Sequence, residues 1–129
     1  MGASNLSNVY RVDDELPMPF NAGTANMVTG LDGTVWIAGL NANHLTPWTE
    51  DGGYGTSIPL THWAHGLAVS KDGAIWSAQR YANLIGRSVP GSPTETFSGF
   101  SEVGSLAVDS SGNIWAATIG DGRLVQLAP

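Results

Sequence analysis

The sequence predicts an all-β chain made of about three blades of four antiparallel strands, the repeating unit of a β-propeller. Three observations predict it. Tryptophans recur at Trp36, Trp76 and Trp115, 40 and 39 residues apart. A glycine lies three residues before each of them, at Gly33, Gly73 and Gly112. Glycine reaches 17 of 129 residues while charged residues are only 12%, a composition that suits tight turns and short strands better than solvent-facing helices.

Each copy reads as a hairpin followed by two further strands. The first strands are Met27–Thr29, Leu67–Val69 and Leu106–Val108. The turns LDGT, KDGA and SSGN follow, in which glycine supplies the positive φ that a Cβ would oppose. The second strands, TVWIA, AIWSA and NIWAA, are rich in β-formers. The third and fourth strands of the first copy are HLTPW (His44–Trp48) and SIPL (Ser57–Leu60), joined by TEDGGYG. In the second copy they are LIGRSV (Leu84–Val89) and TETF (Thr94–Phe97), joined through PGSP. Pro47 and Pro59 cannot donate to a ladder, which places their strands near a blade's outer edge. RLVQL (Arg123–Leu127) fills the third slot of the last copy. Ahead of the first hairpin, VYRV (Val9–Val12) and PMPF (Pro17–Phe20) read as extra strands that complete a blade. The repeats thus fall near residues 27–60, 66–97 and 106–127, with 9–20 as the extra strands, in one unit spanning 1–129.

The charge pattern excludes several functions. The net charge is −6 and the five basic residues are scattered, so neither a phosphate-tracking nucleic-acid surface nor an anionic membrane surface is expected. No cysteine is present, which removes disulfides, thiolate metal sites and a cysteine nucleophile. The amino-terminal stretch lacks the pattern of a signal peptide, and no apolar run approaches the roughly 20 residues of a membrane span. These features predict a soluble chain, cytoplasmic or particle-associated.

The segment AHGLAVSKDGAIWSAQRYANLIGRSVPGSPTETF (Ala64–Phe97) resembles the repeat of the streptogramin lyase family. His65-Gly66, Asp72-Gly73, Trp76 and Ile85-Gly86-Arg87 carry the likeness. The last copy, LAVDSSGNIWAATIGDGRLVQLAP, is similar to an NHL repeat, a related propeller unit. The resemblance covers about Val9 to Leu127 and implies a ring of blades around a central funnel. For the lyases it also implies His and Glu side chains gathered about a magnesium ion. By position His65 is the funnel histidine, but the Glu of that repeat falls on Gln79, and on Gly39 and Thr118 in the other copies. None of these can act as a general acid or base.

His62, Trp63 and His65, within LTHWAHGL, are the leading candidates for a ligand-binding cluster at the funnel mouth. Trp48 and Tyr54 flank the glycine-rich TEDGGYG loop and form a second candidate surface. No metal site is expected, because two histidines three apart lack a visible third ligand. No cofactor is expected either, magnesium entering only under a lyase reading. DSSGN (Asp109–Asn113) lacks the further acidic positions of a calcium loop and reads as a hairpin turn. The repeated tryptophans are expected in the core.

Propellers close with 4–8 blades, so three blades leave the wedges at Trp36 and Trp115 open. The expected closure is a homodimer forming a six-bladed ring, with the amino-terminal strands of one subunit completing the last blade of the other. The expected function is a non-catalytic, self-assembling structural or binding module for a protein or glycan. The alternatives are a streptogramin-lyase-like or hydrolase enzyme with a funnel site around His65, and a phage or virion decoration or tail-associated component.

Overall fold

The computed structural model describes residues 24–127, so the extra strands expected at residues 9–20 lie outside the described residues. Three antiparallel sheets follow one another along the chain. The first contains β1 (Thr24–Thr29), β2 (Val35–Gly39), β3 (His44–Thr49), β4 (Gly53–Tyr54) and β5 (Ile58–Pro59). The second contains β6 (Gly66–Val69), β7 (Ile75–Gln79), β8 (Leu84–Ser88) and β9 (Glu95–Ser98). The third contains β10 (Val103–Val108), β11 (Ile114–Thr118) and β12 (Leu124–Leu127). A single 3-10 turn, Arg80–Ala82, is the one helical element among the described residues. The first strand of the middle sheet, β6, packs against both β1 and β10. The three sheets are therefore blades set side by side, with their first strands innermost.

The hairpin turns are three residues long and share one geometry. In each, the residue before the turn both donates to and accepts from the far side, as in Gly30 N–H to Thr34 C=O at 2.8 Å and Gly33 N–H to Gly30 C=O at 3.1 Å. The same pair of bonds recurs at Ser70 and Asp109. Gly33, Gly73 and Gly112 have φ of 87°, 88° and 88°, the left-handed position that closes such a turn.

One departure from the expected strands has a local cause. The outer strand of the first blade is split: β4 pairs with Trp48 and Thr49, and β5 pairs with His44 and Leu45. Between them, Gly55 donates to the Pro47 carbonyl at 2.9 Å, so the same side of Pro47 has no N–H to offer and the ladder breaks there. TEDGGYG is thus partly strand, where a loop was expected. The third blade has three strands among the described residues, with β12 in the third slot as expected for RLVQL.

The core lies between blades. Trp36, Ala38 and Leu45 of the first blade pack with Ala64, Leu67, Val69 and Ile75 of the second. Trp76, Ala78 and Ile85 of the second pack with Val103, Leu106, Ile114 and Ala116 of the third. Trp36 and Trp76 therefore each lean toward the blade that follows in sequence. This corrects the expectation that Trp36 borders an open wedge: it is only 6% exposed. Trp115, in the third blade, is half-buried.

The indole N–H groups are pegged to the turns. Trp76 donates to the Ser70 hydroxyl at 2.9 Å, and Trp115 donates to Asp109 at 2.8 Å. Ser70 in turn donates to Asp72, which also accepts from Ala74 N–H and from Arg87. The Ser70 hydroxyl, then Arg87, hold the Asp72 carboxyl down to about 2 from its ordinary 3.8. The Trp115 indole, then the Asn113 side chain, do the same to Asp109, also to about 2. Both pKa values are depressed on folding, so their contribution is complete above about pH 4 and is lost as pH falls through about 2. The urea midpoint is expected to drop across that window, and Asp72→Asn to flatten the drop. An unchanged slope in the variant would rule Asp72 out.

Candidate functional site

The end of the second blade opposite its hairpin turn gathers the most polar-aromatic surface. The loop after β5 brings in His62 and Trp63, and His65 stands immediately before β6, at the mouth of the innermost strand. The loop is held by backbone and amide bonds rather than by chance packing. His65 N–H donates to the Ala78 carbonyl at 2.8 Å, and the Asn26 side chain donates to the His65 carbonyl at 3.0 Å, tying β1 to the loop. His62 N–H donates to Gln79 Oε1 at 2.8 Å, while Gln79 Nε2 donates to Ser77 Oγ at 3.2 Å. Gln79 is fully buried and is consumed by this work.

The side chains form one cluster. Trp63 and His65 stack with ring centroids 3.9 Å apart and planes 28° apart. Tyr81 meets His65 edge-on at 5.1 Å and lies 5.8 Å from His62 and 5.9 Å from Trp63. The Arg80 guanidinium sits 5.3 Å over the Tyr81 ring and also pairs with Glu102 at 3.3 Å, a cation–π contact backed by an ion pair. Trp63 is buried at 9% exposure, whereas Tyr81 is 58% exposed. Burial, then the charges of Arg80 and His62, push the His65 pKa below its ordinary 6.5. Its imidazole is therefore neutral at physiological pH. His65 Nδ1 is buried and has no hydrogen-bond partner among the described residues, an atom that ordinarily demands one.

The structure brings His62, Trp63 and His65 together as expected and adds Tyr81 and Arg80 to them. Trp48 and Tyr54 are elsewhere. They form a cross-strand pair near the hairpin-turn end of the first blade, the opposite end from His65. A concavity of about 440 Å³ also lies at the turn end, between the second and third blades, walled by Trp76, Ile114 and Leu127. Its cations are already engaged, Arg87 by Asp72 and Glu95 and Lys71 by the Ser110 carbonyl.

The aromatic cluster does not fit a magnesium ion. Magnesium seeks carboxylate and other hard oxygen ligands, and the Glu102 carboxylate beside it is paired with Arg80. No three His, Asp or Glu side chains converge among the described residues.

No family model matches the sequence, and no curated protein matches it. Solved structures do match by shape. Virginiamycin B lyase from Staphylococcus aureus superposes with a TM-score of 0.68 at 19% identity, covering 88% of this chain and 43% of that one. A streptogramin B lyase gives 0.69 at 20% identity, covering 87% and 42%. The WD40 repeats of RRP9 give 0.65 at 15% identity, covering 87% and 41%. The chain spans less than half the length of these structures, and the likeness establishes a lyase-like β-propeller fold.

Proposed function

We propose that this chain is a non-catalytic propeller module that binds a ring-bearing ligand, a glycan in the first instance, at the His62–Tyr81 end of its second blade. The observation that carries the reading is the aromatic cluster with its exposed Tyr81 ring. The exposed Tyr81 ring offers a face on which a pyranose can stack, with the half-buried His62 ring beside it at 5.8 Å. Arg80 is fixed by Glu102 and orients the Tyr81 ring.

A panel of oligosaccharides, followed by tryptophan fluorescence and ligand-observed NMR, tests this. A binder is expected to lose about tenfold in affinity in Tyr81→Ala, the loss of about 1.4 kcal/mol of stacking. Absence of any binder, or binding indifferent to both Tyr81→Ala and Trp63→Ala, sinks the proposal.

The fold likeness to the lyases supports a second reading, in which the neutral His65 is a general base. It requires an acidic partner, and the position where the lyase repeat places Glu carries the buried Gln79. Magnesium-dependent turnover of a streptogramin that disappears in His65→Ala would favour this reading over the first.

A further inference from the structure

Four Asp-Gly dipeptides lie within the described residues, at Asp32-Gly33, Asp51-Gly52, Asp72-Gly73 and Asp121-Gly122. In this dipeptide the glycine nitrogen attacks the preceding side-chain carboxyl with least obstruction, because glycine has no Cβ. The fold restrains the four carboxylates unequally. Asp32 accepts from Thr34 N–H at 3.0 Å. Asp72 accepts from the Ser70 hydroxyl, from Ala74 N–H at 3.2 Å and from Arg87 at 2.6 Å. Asp121 accepts from the Thr118 hydroxyl and faces Arg123 at 3.7 Å. The exposed Asp51 carboxylate accepts no hydrogen bond among the described residues.

The backbone is restrained unequally too. Gly33 and Gly73 donate to the Gly30 and Ser70 carbonyls at 3.1 and 2.9 Å, at the tips of the β1–β2 and β6–β7 hairpins. The Asp121 connection is closed by Thr118 N–H to the Arg123 carbonyl at 2.9 Å and by Arg123 N–H to Thr118 Oγ1 at 3.1 Å. Asp51-Gly52 sits at the tip of β3–β4, whose ladder holds only the pairs Trp48 with Tyr54 and Thr49 with Gly53. Gly52 N–H is held by the hydroxyl of the exposed Thr49 at 3.0 Å, an acceptor that water can replace. Local opening costs least where few ladder bonds hold the backbone. Asp51 therefore combines an unrestrained carboxyl with a neighbouring nitrogen that is easily released.

We propose that Asp51 is a site of self-modification, converting through a cyclic imide to isoaspartate well ahead of the other three Asp-Gly pairs. The Gly52 nitrogen bonds to the Asp51 side-chain carboxyl carbon, whose bond to its hydroxyl breaks. The Gly52 N–H proton leaves with that hydroxyl as water. Water then adds back to the imide. Breaking the new C–N bond restores aspartate, while breaking the original peptide C–N bond leaves isoaspartate and a free main-chain carboxylate. No oxidant, reductant or cofactor enters, and the final composition is unchanged. The reacting form is the protonated carboxyl, which the Ser70 hydroxyl, then Arg87, withhold from Asp72 by holding it down to about 2. Isoaspartate at position 51 routes the chain through the former side-chain methylene. That extra carbon works against a β3–β4 ladder of two pairs, and so against the pairing of Trp48 with Tyr54.

The test is site-resolved ageing. The full chain is incubated for weeks at neutral pH and physiological temperature, folded and in parallel in urea. Both samples are digested and read by mass spectrometry with electron-transfer fragmentation, which separates isoaspartate from aspartate. In urea the four sites lose their folded restraints and are expected to react at similar rates. In the folded chain position 51 is expected to react about tenfold faster than Asp32 or Asp72, with Asp121 between them. Thr49→Val, which removes the hydroxyl and keeps the side chain's shape, is expected to speed the folded-state reaction at position 51 and leave the urea rate unchanged. Equal folded-state rates at all four sites overturn the proposal. So does a faster reaction at Asp32, Asp72 or Asp121, or a position 51 that reacts in urea and stays intact in the folded chain.

Discussion

Trp76→Ala is expected to cost about 3–5 kcal/mol of unfolding free energy, the usual range for deleting a buried indole. Trp115→Ala is expected to cost roughly 1–2 kcal/mol at protein concentrations where light scattering shows a single copy, because a half-exposed ring leaves a smaller cavity. The two residues hold the same step of the same repeat, and Trp115 has the stronger, charge-assisted peg, so a smaller cost at Trp115 can come only from packing. Trp76 is 9% exposed, stacks on Phe97 with centroids 5.7 Å apart, and sits in the core between the second and third blades. Trp36, at 6% exposure, is expected to behave like Trp76. Urea denaturation of the three variants, monitored by far-UV circular dichroism, reads the series. Equal costs at all three positions under single-copy conditions would show that the tryptophans stabilise their own hairpins rather than the joints, and the interblade account of the core would fail.

The repeat was legible because its physics is local. A glycine at positive φ and an aromatic three residues later are fixed by the turn and the ladder, so their spacing survives in sequence even where little else does. The direction in which each tryptophan leans was not legible. Alternate residues of a strand point to opposite faces, and which face meets the next blade depends on how the sheets are set, which no pattern of residue types encodes. That is why the wedge expected open at Trp36 is closed. The candidate cluster was half legible. His62, Trp63 and His65 stand out as a dense polar-aromatic run, but Tyr81 and Arg80 reach the cluster through the blade's register, with Gln79 placing them across from the loop. The available signal was the run Gln-Arg-Tyr after the second-strand tryptophan, for which the other copies have Gly39-Leu40-Asn41 and Thr118-Ile119-Gly120. Trp48 and Tyr54 were grouped as a second surface on sequence proximity, and they do meet, but as a cross-strand pair at the far end of another blade.

Gly86→Ala is expected to destabilise the chain by about 2–4 kcal/mol, combining overpacking with a disturbed buried hydrogen bond. Its backbone does not need glycine for a positive φ; the reason is space. A Cβ there would lie 2.6 Å from Ser77 Oγ and 2.7 Å from Gln79 Nε2. Both of those side chains are fully buried and bonded to each other, so neither can swing into solvent to make room. The glycine of Ile85-Gly86-Arg87 thus keeps space open for the amide that holds the His62–His65 loop. Ile85 beside it fills the interblade core, and Arg87 ties the turn and the outer strand through Asp72 and Glu95. Because Gln79 Oε1 accepts from His62 N–H, the substitution is expected to reach the site as well as the core. Hydrogen exchange at the His62 amide should accelerate in Gly86→Ala, and more than at Trp76, whose side chain packs on the other face of the sheet. Gly104→Ala is the control: its Cβ would meet the Ile119 side chain at 2.5 Å, but that side chain is 52% exposed and can move aside. If Gly86→Ala proves as mild as Gly104→Ala, the amide of Gln79 is not what this glycine protects.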